Sequence, residues 1–181
     1  MCEWQSSINP EYSCSGTALV DSDCCILHAS NDQKSSSAFR EALARHISAT
    51  AQGAPIDLTG VRFPVGGAGL LVQMLGARVQ GSIVLCEAVF AERLGLENLE
   101  LEGGLRAENV RIEGGFYLSA CVIRGDVCLR GMQVVDTRIG GHIPHFPARL
   151  GSRRSSTLHL KFRGHSTQLR SGTEQLSTVM L

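Results

Sequence analysis

Histidine and cysteine are the residue types here that could ligate a metal or form a covalent bond, and their spacing decides which chemistry is open. His142 and His145 stand three apart, with His159 and His165 further along, and together they come nearest to an imidazole set for zinc. No cysteine lies near them, so the plainer expectation is solvated histidines on a polar tail. Cysteines stand at 2, 14, 24, 25, 86, 121 and 128. They include no C-x-x-C pair, and an odd count cannot close completely into disulfides, so reduced cytoplasmic thiols are expected. Cys86 and Cys128 have no adjacent base or partner thiol in evidence and read as inert surface thiols, and Cys24-Cys25, in a flexible lead, is a weaker redox candidate still.

Other motifs that could carry chemistry are weak. Gly66-Gly67-Ala68-Gly69 resembles a phosphate loop, but no G-K-[ST] follows and the context reads as strand and turn rather than strand to helix. Neither H-E-x-x-H nor G-x-S-x-G occurs. Carboxylates at Glu92, Glu97, Glu100, Glu102, Glu108 and Glu113 read as a solvated face. Arg153, Arg154, Lys161 and Arg163 form a basic cluster that could attract nucleic acid or an anionic membrane surface. Phe162 is the one aromatic residue inside that cluster, so base stacking has little support. No catalytic set, metal site or cofactor is expected.

The elements that would position these residues follow from the rest of the chain. Of 181 residues 43% are hydrophobic, 5% are aromatic and 20 are glycine, which favours a turn-rich repetitive fold over a helical bundle. The 17 basic and 17 acidic side chains cancel, which excludes a globally basic nucleic-acid binder and a globally acidic DNA mimic. Their distribution is uneven: residues 1–54 and 55–137 each carry −3, and 138–181 carry +6. No window reaches the roughly 18 apolar residues of a membrane span, and no basic-then-apolar leader opens the chain, so a soluble cytoplasmic protein is expected.

Residues 1–36 lack a sustained period and are expected to be flexible. Phe39, Leu43, His46 and Ile47 lie on one helical face, giving a capping helix over 37–53, with Ser36 or Ser37 as N-cap and Gly53 and Pro55 ending it. Residues 54–143 then repeat with a period of eleven. VQGSIVLCEAV from Val79 is followed by FAERLGLENLE, LEGGLRAENVR, IEGGFYLSACV and IRGDVCLRGMQ. Position one reads Val79, Phe90, Leu101, Ile112 and Ile123, and position five Ile83, Leu94, Leu105, Phe116 and Val127. Position seven reads Leu85, Leu96, Ala107, Leu118 and Leu129, and position three is glycine except at Glu92. A degenerate earlier copy carries Ala68, Val72 and Met74.

An eleven-residue period also suits a right-handed coiled coil. On a helical wheel, however, positions five and seven lie roughly 40° and 240° from position one, which scatters the apolar residues to both sides. Positions five and seven share one strand face, so each unit reads as a turn plus a short strand, with position-three glycine at the bend. Two units make one coil of about 22 residues, stacking Val79 on Leu101 on Ile123. Outward columns then place Gln80, Glu102 and Arg124 together, and likewise Cys86, Glu108 and Arg130. Cys86 and Cys128 should face outward, while Cys121 shares the small apolar column of Ala88, Leu99 and Val110. The expected fold is all-β, a right-handed parallel β-helix with a capping helix and disordered termini.

With PIDLTGVRFPVGG at 55–67, GARVQGSIVL at 76–85 and IRGDVCL at 123–129, the chain resembles a bacterial pentapeptide-repeat-type β-solenoid over roughly residues 38–143. It departs from that family in its dominant period of eleven, and the small-x-large signature recurs only in places, as in Ala77-Arg78-Val79 and Ala88-Val89-Phe90. The resemblance implies a non-enzymatic interaction surface, for which Glu102, Glu108, Glu113, Arg124 and Arg130 are the candidates. Some similar proteins carry membrane-associated oxidoreductase labels, which makes part of such a protein the alternative. After Val134, Arg138-Ile139-Gly140-Gly141-His142-Ile143 resembles one more element, before Pro144 and Pro147 end pairing. Residues 144–181 are expected to form a disordered basic tail. An exposed coil edge invites an unidentified protein partner or a second copy.

Overall fold

The computed structural model describes residues 1–135 and the backbone of Thr157–Phe162 and His165–Arg170. Two helices and fifteen short strands follow the lead. They are α1 (Ser36–Ala49), β1 (Ile56–Asp57), β2 (Arg62–Phe63), α2 (Gly67–Leu75), β3 (Arg78–Val79), β4 (Ile83–Val84), β5 (Val89–Phe90) and β6 (Leu94–Glu97). There follow β7 (Glu100–Leu101), β8 (Leu105–Arg106), β9 (Arg111–Glu113), β10 (Phe116–Ser119), β11 (Val122–Ile123), β12 (Val127–Cys128) and β13 (Gln133–Val135). The last two are β14 (Thr157–Phe162) and β15 (His165–Arg170).

The strands form four open, mainly parallel sheets, β1-β4-β8-β12, β2-β5-β9-β13-β14-β15, β6-β10 and β3-β7-β11. From β3 to β13 each strand pairs with the one 22 residues on: Val79 with Leu101 and then Ile123, Ile83 with Leu105 and then Val127, and Phe90 with Ile112 and then Val134. Ladder bonds are of ordinary length, with Ile83 N–H donating to Gly104 O at 2.9 Å and Leu105 N–H to Asp126 O at 2.9 Å. Each eleven-residue unit supplies two strands rather than one, at positions one and five, so consecutive units visit all four sheets. Leu85, Phe90, Leu94, Leu96, Leu101, Leu105 and Ile112 are fully buried between them.

The structure adds one feature to the repeat and corrects another. The left-handed backbone recurs at position nine, at Glu87, Asn98, Asn109, Ala120 and Gly131, with φ between 50° and 68°. At position three, Gly81, Gly103 and Gly125 serve close approach, a Cβ at Gly103 lying 2.6 Å from the Gly81 carbonyl carbon, while Gly114 has a positive φ of 90°. The degenerate copy at 67–75 is the helix α2, which buries Ala68, Leu71 and Leu75 on one face and lies against β6. The pairing offset across it is accordingly longer, Ile56 meeting Ile83.

The capping helix α1 starts one residue earlier than expected, because the Ser35 hydroxyl accepts from Ala38 N–H at 3.2 Å. Its Phe39 and Leu43 are buried, and Phe39 meets Phe63 edge-on while Phe63 stacks on Phe90 at 4.3 Å. The helix therefore closes the apolar column at its first level.

The lead and the tail also differ from expectation. Residues 1–35 pack on the first strands through backbone and side-chain hydrogen bonds, with Ile26 and Leu27 against the core. In the tail, β14 pairs in parallel with β13 and antiparallel with β15, as the alternation Leu158, Leu160, Phe162 suits. Arg153, Arg154, Arg163, His142, His145 and the element expected at 138–143 lie outside the described residues. No helix among the described residues is long and apolar enough to cross a membrane.

Candidate functional site

The lead brings together donors that are far apart in sequence. Two antiparallel bridges, Gln5 with Ser13 and Ala18 with Cys25, fold it into successive hairpins. Cys2 N–H donates to Gly16 O at 2.8 Å and Cys14 N–H to Trp4 O at 3.2 Å, so Cys2 and Cys14 sit side by side. A tight turn follows Cys25, with His28 N–H donating to Cys25 O at 3.0 Å, and swings the imidazole back over the thiols. The Sγ atoms of Cys2, Cys14 and Cys25 and a ring nitrogen of His28 all lie within 4.8 Å of one another.

His28 is fixed from behind. Its Nε2 lies 3.1 Å from Thr59 O, and a carbonyl can only accept, so Nε2 carries the proton. Burial pushes the imidazole below its ordinary pKa, which keeps it neutral and leaves the Nδ1 lone pair facing the thiols. Trp4 stacks on the ring at 4.4 Å and covers Gly60, where a Cβ would lie 2.0 Å from the indole. Burial, with the neighbouring Cys25, raises the Cys14 thiol to about 12. At Cys2 burial also raises the thiol, but hydrogen bonds from the Cys25 and Trp4 backbones and the neighbouring thiols bring it below its ordinary value.

The lobe is pinned to the first strands at several points. Arg62 N–H donates to Leu27 O at 2.9 Å, and Lys34 Nζ donates to Leu27 O at 2.9 Å and to Arg62 O. Burial and the Arg62 charge lower the Lys34 pKa to about 7. Ser7 donates from both N–H and hydroxyl to the Glu87 carboxylate, and Tyr12 Oη donates to Asp57 Oδ2 at 2.7 Å.

Between lobe and sheet lies a cleft of about 280 Å³, bordered by Tyr12, Asp57, Thr59, Cys86, Arg106 and Glu108. Cys86 is therefore buried beneath residues 6–12 rather than exposed, and burial raises its thiol. Asp57 accepts from both Tyr12 and Thr59, and Arg106 pairs with Glu108 at 2.9 Å, so the polar groups of this cleft satisfy one another.

The outward residues expected to form one interaction surface divide among three sheets. On β3-β7-β11, Arg78 and Arg124 bracket Glu100 and Glu102: Arg78 lies 2.5 Å from Glu102, and Arg124 lies 2.7 Å from Glu100 and 3.3 Å from Glu102. Beside β8 and β12, Glu108 takes Arg106 and, at 3.9 Å, Arg130. On β9, Glu113 pairs with Arg111 at 2.9 Å. The Arg124 guanidinium holds the Glu100 carboxyl below its ordinary pKa, and Arg106 does the same for Glu108.

The glycine run at 66–69 does follow a strand and open a helix, with Gly66 as N-cap and Gly67 to Gly69 in the first turn of α2, contrary to the sequence reading. Its anion is already supplied by the protein, since Glu92 Oε1 accepts from Ala68 N–H at 3.2 Å. That contact accounts for Glu92 at the one position-three site without glycine. Cys121 is half-buried, its Sγ 3.1 Å from Leu96 O. Of the four tail histidines, His159 lies in β14 and His165 in β15, where they pair with Gln168 and Phe162 respectively. The set the sequence reading missed, Cys2, Cys14, Cys25 and His28, left one local signal, the spacing Cys25-x-x-His28. Compared with family models, curated proteins and solved structures, the chain matches none of them.

Proposed function

We propose that this chain is a non-catalytic interaction module, a right-handed β-solenoid of about 22 residues per coil that binds a protein partner in the cytoplasm. It would be a divergent relative of the pentapeptide-repeat solenoids. The observation that carries the reading is the pairing offset of 22 that recurs in each of the four sheets between β3 and β13, which sets side chains in straight outward columns. A surface specified this regularly is suited to recognition by shape and charge, whereas the cleft beside Tyr12 and Asp57 holds groups already paired with one another.

The face of β3-β7-β11 suits a partner best. It combines the Arg78, Glu100, Glu102 and Arg124 network with Val122, which is 51% exposed at its edge. Mixed charges around an exposed apolar residue favour a protein surface of alternating charge over a polyanion. Affinity capture from source lysate with the full chain tests this. Arg124→Glu should reduce recovery of a captured protein at least tenfold, roughly 1.4 kcal/mol of binding, while melting stays within a few degrees of wild type. Recovery unchanged by Arg124→Glu, Arg130→Glu and Glu113→Lys alike would refute the reading. A co-purifying flavin or nicotinamide would favour the oxidoreductase alternative instead.

A further inference from the structure

We propose that Cys2, Cys14, Cys25 and His28 bind one zinc ion, in a closed four-coordinate centre that fastens the amino-terminal lobe to the first strands of the stack. The inference is independent of the interaction reading and rests on the geometry of the four donors.

Tetrahedral zinc with Zn–S of about 2.3 Å and Zn–N of about 2.0–2.1 Å has S···S edges near 3.8 Å and S···N edges near 3.6 Å. In this protein Cys14 Sγ and Cys25 Sγ are 3.7 Å apart, Cys2 Sγ is 3.8 Å from His28 Nδ1, and Cys25 Sγ is 3.3 Å from it. Three of the six donor–donor edges thus come within about 0.3 Å of those of a zinc tetrahedron, and all six are within 4.8 Å. Three sulfurs and one imidazole select a borderline-soft cation over magnesium or calcium. Four protein donors leave no open position for water, which marks a structural centre rather than a hydrolytic one.

The surroundings are those such a centre needs. The remaining ring nitrogen of His28 is held by Thr59 O, the outer contact that orients a ligating imidazole. Gly16 N–H donates to Cys14 Sγ at 3.3 Å, a bond that favours the thiolate. A Cβ at Gly16 would lie 3.1–3.3 Å from Cys25 Cβ and from the Cys14 and Cys25 sulfurs, so that position is shaped around the cluster. Cys2, Cys25 and His28 are buried. As the ion enters, the three thiols release their protons to solvent, and no redox step is involved. A Cys14–Cys25 disulfide is the competing chemistry for the same sulfurs, and it would leave Cys2 Sγ and His28 Nδ1, 3.8 Å apart, to pair with one another.

The test uses the full chain purified under reductant, with metal measured by mass spectrometry and then zinc replaced by cobalt. Wild type should carry about one zinc per chain. Cobalt should give the intense visible bands of a tetrahedral thiolate site. Cys14→Ser and Cys25→Ser should lose the metal, while Cys24→Ser, whose thiol lies next in sequence but outside the cluster, should keep it. Chelation of wild type should open residues 1–30 to protease. The proposal is overturned if wild type takes up neither zinc nor cobalt under reductant. It is equally overturned if Cys24→Ser loses metal as completely as Cys25→Ser, or if reductant-purified protein has a mass two hydrogens short with Cys14 and Cys25 joined.

Discussion

Glu108 shows how a charge on this surface is spent inside the molecule. Its carboxylate lies between Arg106 and Arg130, and the Arg106 hydrogen bond holds its folded pKa below the ordinary value of 4.5. A depressed carboxyl contributes stability above the unfolded pKa and loses it as pH falls through the folded value. Glu108→Gln should therefore melt below wild type at pH 7, and the difference should close below about pH 4 and shrink with salt, as followed by thermal denaturation. Individual residues were also where the sequence was least legible. Outward partners 22 residues apart, such as Glu102 and Arg124, could be read because the register is arithmetic. Cys2, Cys14, Cys25 and His28 could not, because hairpins in a segment without periodicity bring them together and only the last two are close in sequence.

Among the elements, the eleven-residue unit was legible through its apolar positions, which alternate with the strand period and must be buried. Its corners were not, because the residues there are exposed and share a backbone conformation rather than a chemistry. Glu87, Asn98, Asn109, Ala120 and Gly131 all turn the chain with positive φ. Asparagine tolerates that region and glycine has no penalty in it, whereas alanine is strained there by about 1 kcal/mol. Ala120→Asn should raise stability by about 0.5–1 kcal/mol in urea denaturation, and Asn109→Ala should lower it by a similar amount. The helix α2 was missed for another reason. Its Ala68, Val72 and Met74 fit the repeat frame as residue types, but glycines at both ends and the Glu92 carboxylate at its first turn make a helix the better solution.

Across the whole molecule, burial is uneven from one sheet to the next: Leu129 and Met132 stay buried near the far end of the described strands, whereas the β6-β10 sheet opens. Leu96 and Leu118 are partners in adjacent strands of one sheet, yet Leu96 is 1% exposed and Leu118 is only partly buried. Leu96→Ala should cost about 2–5 kcal/mol of unfolding free energy and Leu118→Ala distinctly less, a comparison in which chemistry and column are held constant. Equal losses would mean that cooperativity, not local packing, sets the cost at both levels. The pairing offset of 22 has a further consequence, one for heredity. A duplication of twenty-two codons would lengthen the stack by one level of about 4.8 Å and return every later side chain to its own column. A duplication of half that length would keep the leucines inside but carry the downstream residues to the opposite face, separating pairs that span the insertion, such as Arg124 and Glu102. Genes for such a molecule can therefore grow or shrink safely only in pairs of repeats.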